Sequence, residues 1–356
     1  MLVIFALGAL LTVFGGSVKM PVFKINAQGE RERVFITNAQ GEQEAAVEQK
    51  NKFFNAQNLT LLAKDTSFIA IMAVGMTIVI ISGGIDLSVG AIYALASVLG
   101  ALCFHQFGPG GPRATEAAWV VPVGMAVCVG SGALCGLVNG GLIVALRVHP
   151  FIITLGTMAV FRGIAFVITS GQSVGEFPPL FRDLIRWELR DLSVVPLLVM
   201  LFVTIAGGIY LSRLAAGRRV YAVGGNELAS RYSGIRVERV KLGVFFISGL
   251  TAGISALLSL GYYGAATSAD GAGYELNVIA AAVVGGASLS GGKGSALGAC
   301  LGALIIQMIS SGIVILGIDQ NYSQIIIGSV VIVAVVFDQI NSWLSKRRLT
   351  RASKAA

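Results

Sequence analysis

The chain has 356 residues, of which 55% are hydrophobic and 12% charged, about half the charge content of a soluble domain. That composition excludes an ordinary water-soluble globule and predicts an integral membrane protein. The formal net charge of +8 gathers at the ends of apolar runs, where it orients a membrane chain rather than binding nucleic acid.

Residues 1–18 form an uncharged apolar run without the basic start and A-x-A-like cleavage site of a signal peptide. They read as a first transmembrane helix, short for a span, as if a few residues upstream were missing. Residues 19–65 read as an external polar loop or insert, with seven Lys/Arg and six Asp/Glu. Within it, Asn26-Ala27-Gln28-Gly29-Glu30 returns as Asn38-Ala39-Gln40-Gly41-Glu42. Each copy follows a short β-rich run, Val22–Ile25 and Val34–Thr37. The pattern predicts a small hairpin, against the alternative of an irregular loop. Val47 to Leu62 reads as a helix lying along the membrane interface.

Further spans are predicted at 66–82, 88–107, 119–145, 151–169, 194–211, 241–262, 275–290, 295–316 and 322–344. The expected fold is therefore an all-α polytopic bundle of about ten transmembrane helices, with the membrane domain at 66–344. An even number of spans places both termini on one side. The loop from Leu211 to Lys241 carries seven Lys/Arg (Arg213, Arg218, Arg219, Arg231, Arg236, Arg239, Lys241) against Glu227 and Glu238. The tail at 345–356 is also basic. Both are expected on the cytoplasmic side. The loop at 19–65, with its Lys and Arg on the other side, is the exception to that rule.

Gly83–Leu102 and Gly285–Leu304 are identical at 11 of 20 positions at an offset of 202, the mark of an internal duplication. The span count makes the two copies parallel. Gly83-Gly84-Ile85-Asp86-Leu87-Ser88 interrupts a long apolar stretch. Paired glycines stop a helix, and Asp86 or Ser88 can cap the next one. This is either a discontinuity lining a pathway or gate, or a tight turn with a capping Asp. Gly132, Gly136 and Gly140 share a helical face, as do Gly294, Gly298 and Gly302 on the helical reading, and small residues at this spacing let helices approach closely. Arg162 lies inside a span, so it snorkels to an end or pairs with a buried acid such as Asp86. Asn139, Glu275, Asn277 and Gln307 either bridge helices or hydrogen-bond a polar solute.

No catalytic residue is read. Cys103, Cys128, Cys135 and Cys300 make no C-x-x-C pair, and His105 and His149 have no metal-ligand spacing. Nucleophile–base pairs, phosphate loops and dinucleotide fingerprints are lacking, so nucleotide energy would have to come from another chain. Three carboxylates, Asp86, Glu275 and Asp338, lie near span ends.

The segment Ala73-Val74-Gly75-Met76-Thr77 leading into Gly84-Ile85-Asp86-Leu87-Ser88-Val89-Gly90 resembles the permease subunits of bacterial ABC importers for monosaccharides, the ribose, xylose and arabinose type. So do Phe151-Ile152-Ile153-Thr154-Leu155-Gly156-Thr157-Met158 with Arg162-Gly163, Val223-Gly224-Gly225-Asn226-Glu227 with Ser233-Gly234-Ile235, and Gly273-Tyr274-Glu275-Leu276 through Gly285-Gly286 to Gly291-Gly292-Lys293-Gly294. The likeness covers about residues 59–340. It implies a permease in a bacterial inner membrane with both termini cytoplasmic. It also implies a separate ATPase subunit that binds ATP and Mg, a solute-binding protein, and a second permease copy. Within the loop 212–240, Gly225, Asn226, Glu227, Ala229, Arg231, Ser233 and Gly234 would form a short helix that docks on the ATPase. The candidate pathway or gate residues are Gly83, Gly84, Asp86, Ser88, Asn139, Arg162, Glu275 and Asn277. Two departures are Ala229-Ser230, where the family usually has two alanines, and the insert at 19–55. The rival readings are a branched-chain amino-acid permease and a stand-alone ion-coupled transporter.

Overall fold

A computed structural model of the chain describes residues 1–25, 31–37, 43–108, 111–115, 119–189, 192–336 and 339–340. Its helices are α1 (Leu2–Phe14), α2 (Ala56–Ile81), α3 (Val89–Phe107), α4 (Val120–Leu146), α5 (Pro150–Thr169), α6 (Pro179–Ile185) and α7 (Val194–Arg213). They continue with α8 (Ala215–Gly225), α9 (Glu227–Tyr232), α10 (Val237–Tyr263), α11 (Tyr274–Val284), α12 (Ala296–Ile315) and α13 (Gln320–Val336). Seven of them (α2, α3, α4, α5, α7, α10, α12) are long and apolar enough to cross a membrane; α1, α11 and α13 are apolar but shorter. Each of the ten expected spans thus has a helix, three of them shorter than a full crossing. The basic tail at 345–356 and Asp338 lie outside the described residues.

The bundle is built around α2. Its sequence is apolar on every side from Phe68 to Ile81 but for Thr77, and every residue from Thr66 to Ile81 is buried. A helix hydrophobic all round can face lipid or protein on any side; what places α2 at the centre is that α10, α12, α7 and α11 all pack against it. The most extensive contact joins α4 to α10. There a Cβ on Gly132 would meet the Gly249 carbonyl and the Gly253 backbone, and one on Gly136 the Phe245 carbonyl. The glycine face expected from spacing is real on α4. On α12 it holds for Gly298 and Gly302, which meet Gly285 and Ala281. Gly294 precedes the N-cap Ser295 and sits in the connecting loop with φ +152°, so it is not on that face.

The chain between α1 and α2 carries the strand pairing that its β-rich runs suggest, in more copies than the single hairpin expected. It forms three antiparallel strand pairs, two of them hairpins: β1 (Ser17–Pro21) with β6 (Val47–Asn51), which encloses the hairpins β2 (Phe23–Ile25) with β3 (Arg31–Arg33) and β4 (Phe35–Thr37) with β5 (Gln43–Ala45). The arms meet at three evenly spaced residues. Val22 N–H donates to Ala46 O at 2.8 Å, Val34 N–H to Val22 O at 2.9 Å, and Ala46 N–H to Val34 O at 2.7 Å. The Asn-Ala-Gln-Gly repeats predicted as turns fall at 26–30 and 38–42, outside the described residues. The helix expected over Val47–Leu62 forms only from Ala56, as the start of α2. Val47–Asn51 pairs with β1 instead, the Asn51 carboxamide accepts from Phe53 and Phe54 N–H, and Asn55 caps α2 by accepting from Asn58 N–H at 2.9 Å. Those caps start α2 at Ala56, well before 66.

The duplicated segments are the reversals after α2 and α11. Both lie at the same end of the bundle, because Gly292 N–H donates to Ile81 O at 2.8 Å across them. The two copies therefore run parallel.

Candidate functional site

The basic segment folds as α8 and α9 over that shared end. On α8, Gly217, Val220 and Val223 face inward while Arg218 and Arg219 are exposed. Gly224 sits directly on the reversals: a Cβ there would strike the Ile81 carbonyl and approach Gly292 N within 2.8 Å. Tyr221 O–H donates to Gly294 O at 2.7 Å. Asn226 leaves the helical region, and its carboxamide accepts from Ala229 N–H at 2.9 Å, which starts α9. Gly234 closes α9 with φ +81°, a left-handed stop that favours glycine.

Ion pairs hold α9 to the start of α10. Glu227 accepts from Lys241 at 2.8 Å and lies 3.7 Å from Arg231, which bonds Glu238 at 2.7 Å. The side chains are between a quarter and a half exposed, so water screens the pairs and they orient the segment more than they stabilise it. Gly225, Asn226, Glu227, Ala229, Arg231, Ser233 and Gly234 are all exposed. Two residues that sequence reasoning passed over complete the surface. Leu228 is 61% and Tyr232 83% exposed, one helical turn apart on α9, a spacing that places them side by side. Their apolar character in a basic loop was the available signal.

The first reversal turns back into the interior. Gly83 takes φ +84°, and Asp86 and Ser88 are fully buried. The Asp86 carboxylate accepts from Ser88 N–H at 3.0 Å, Ser88 Oγ at 2.6 Å and Ser248 Oγ, on α10, at 2.8 Å. Asn139 on α4 donates to Ser88 Oγ at 2.7 Å, and its own carbonyl oxygen is buried without a partner among the described residues. The network ties the break to α4 and α10, so α3 begins inside the bundle. Here it meets the start of α11. The Tyr93 and Tyr274 rings meet at a tilt of 56° with centroids 5.3 Å apart, and a Cβ on Gly90 would crowd Gly271 O and Glu275 Oε2. That Glu275 oxygen is buried and unpaired among the described residues. Asn277, half-buried on the same helix, is not joined to this group.

Arg162 does not pair with Asp86. It donates to the carbonyls of Ser268 at 2.9 Å and Asp270 at 3.2 Å, pinning the loop between α10 and α11 while Thr267 satisfies the Asp270 carboxylate. Asp86 is occupied by two serines on its own connector and α10, elements that α5 does not carry, and backbone carbonyls satisfy the guanidinium instead.

At the end opposite α9 two clefts open. One, of about 1020 Å³, lies between β1/β6 and the ends of α2 and α10. Its floor includes Lys64, whose ammonium sits 4.0 Å from the Tyr262 ring centroid and 3.1 Å from Asp65. The other, of about 400 Å³, lies between α2, α12 and the start of α13.

Residues 58–335 match the family described as "Branched-chain amino acid transport system / permease component". A ribose import permease protein of Escherichia coli K12 is 39% identical over 289 residues, covering 80% of this chain and 87% of that protein. An autoinducer 2 import system permease protein of the same strain is 33% identical over 302 residues, covering 81% and 88%. No solved structure matches the chain. The three strand pairs between Ser17 and Asn51 lie before the region matched to the family.

Proposed function

We propose, for a chain that belongs to the branched-chain amino acid transport system / permease component family, that it is the membrane subunit of an ATP-driven importer of a monosaccharide or similar small polyol. The relatives named for ribose and autoinducer 2 import support a sugar-like solute over an amino acid. In this reading a separate ATPase binds ATP and Mg and grips α9. A binding protein delivers the solute at the opposite end, and a second permease copy completes the pathway. The basic end faces the cytoplasm, in keeping with the retention of Lys and Arg on that side.

The observation that carries the proposal is the seating of Gly224 on Ile81 and Gly292. A partner pushing on Glu227–Tyr232 pushes on the reversals of both repeats at once. Close backbone contacts cannot deform gradually, so such a push selects between discrete packings of the helices. The solute then meets outward- and inward-open states whose populations ATP sets.

Reconstitution with the ATPase and binding protein tests this. Glu227→Lys places a third cation beside Arg231 and Lys241, where the glutamate had joined them, and detaches α9. Solute-stimulated ATP turnover should be lost while the permease still purifies as a folded protein, and unchanged turnover would refute the coupling role. Uptake that persists without the ATPase would instead favour an ion-coupled transporter.

A further inference from the structure

We infer that the cleft between α2, α12 and α13 is a binding site for a neutral polyhydroxylated solute, an entry subsite at the end where the solute is delivered; this rests on the import reading above. The cleft holds about 400 Å³ and is lined by Asn58, Asp65, Gln307, Ser311, Gln320 and Ser323, among aliphatic side chains such as Leu61 and Val314. Gln307 lies in the middle of α12, whose only other polar side chains are Ser310 and Ser311, and α12 is one of the helices long and apolar enough to span. A carboxamide there is costly unless it bonds something. Among the described residues it has no side-chain partner, and neither do the side chains of Gln320 and Ser323.

The remaining polar groups are held in place rather than free. Asn58 accepts from Ser311 Oγ at 3.3 Å and donates to Phe53 O at 2.9 Å. Asp65 is oriented by Lys64 at 3.1 Å and Tyr263 O–H at 3.4 Å, both on one of its two oxygens. The second carboxylate oxygen thus offers a fixed acceptor, and the two glutamine amides offer unpartnered donors and acceptors, inside an aliphatic frame. Sugars need this chemistry: adjacent hydroxyls that each donate and accept, on a skeleton with apolar C–H faces.

The charges discriminate against the rival solute class. Among the described residues no cationic side chain lines the cleft, and the Lys64 ammonium is already held between Asp65 at 3.1 Å and the Tyr262 ring at 4.0 Å. An amino acid could set its ammonium on the free Asp65 oxygen, but its carboxylate would find no cation in the lining.

The test uses the full-length permease in nanodiscs, without its partners. Labelled D-ribose, L-arabinose, D-xylose and D-galactose serve as probes, with L-leucine as competitor. At least one sugar should bind, L-leucine should not displace it, and Gln307→Leu should weaken binding roughly tenfold or more, the scale of one buried hydrogen bond left unmade. Gln320→Ala, at the exposed mouth, removes a solute contact without touching the packed bundle and should also weaken it. Absence of sugar binding to the wild type, or equal binding by both variants, overturns the inference. Uptake by the complete importer is measured in parallel. Uptake without binding at this cleft sinks the subsite alone, whereas loss of both in the wild type sinks the sugar reading as well.

Discussion

The two copies of the duplicated segment share a scaffold and differ in what they hold. In the first, Asp86 takes the place that Ser288 has in the second, and it is fastened by Ser88 and Ser248 with Asn139 bracing Ser88. Helix resumes at once, at Val89, deep in the bundle. In the second, helix does not resume until Ala296. The longer loop carries Gly291 and Gly292, with φ +81° and +72°, against Gly224 and Gly225. Gly90 is crowded by Glu275 in the interior, while its counterpart Gly292 is crowded by the basic segment. One copy has become an anchor and the other a contact. The lesson is that duplication supplies two equivalent reversals, and a single buried acid ties one of them to its neighbours α4 and α10.

The largest effect should come from removing the anchor. Asp86→Leu strands the Ser88 and Ser248 donors in the interior and should cost about 3 kcal/mol or more, read as a lower melting temperature of the purified permease. Asp86→Asn keeps part of the network and should cost less, which sharpens the assignment of the loss to hydrogen bonding. Next comes the contact. Gly292→Val forces a β-branched residue into the left-handed region, a strain of about 1–3 kcal/mol. It should lower solute-stimulated ATP turnover at least tenfold, more than its loss of stability explains. If Asp86→Leu cut stimulation more than stability, and Gly292→Val the reverse, the division of labour would be wrong. A smaller effect is expected from Glu227→Lys combined with Lys241→Glu, which restores the pair and should recover most of the turnover lost by Glu227→Lys. Smallest is Arg231→Ala, where exposed, water-screened pairs predict less than about a threefold change.

Much of this was legible in the chain. Long apolar runs located the ten helical segments, and the spacing of Gly132, Gly136 and Gly140 announced a close helix contact on α4, though not its partner α10, because both signals are local and periodic. The β-rich runs at Val22 and Val34 likewise foretold two of the hairpin arms. What could not be read was set by distant partners. Arg162 found carbonyls more than a hundred residues away, and nothing in its own span distinguishes a carbonyl partner from Asp86. Gly294 fits a helical face by spacing, yet the loop geometry around Ile81 and Thr77 claims it. The seating of Gly224 on Ile81 and Gly292 joins three segments with no common period, so only the folded chain reveals where α9 would deliver force.

The most direct measurement concerns the side on which α9 stands. In a variant with Cys103, Cys128, Cys135 and Cys300 replaced, Arg231→Cys is exposed to a membrane-impermeant maleimide. Labelling should occur in inverted vesicles, be blocked by the bound ATPase, and be absent in intact cells. Labelling in intact cells would put α9 on the outside, where no ATPase could hold it.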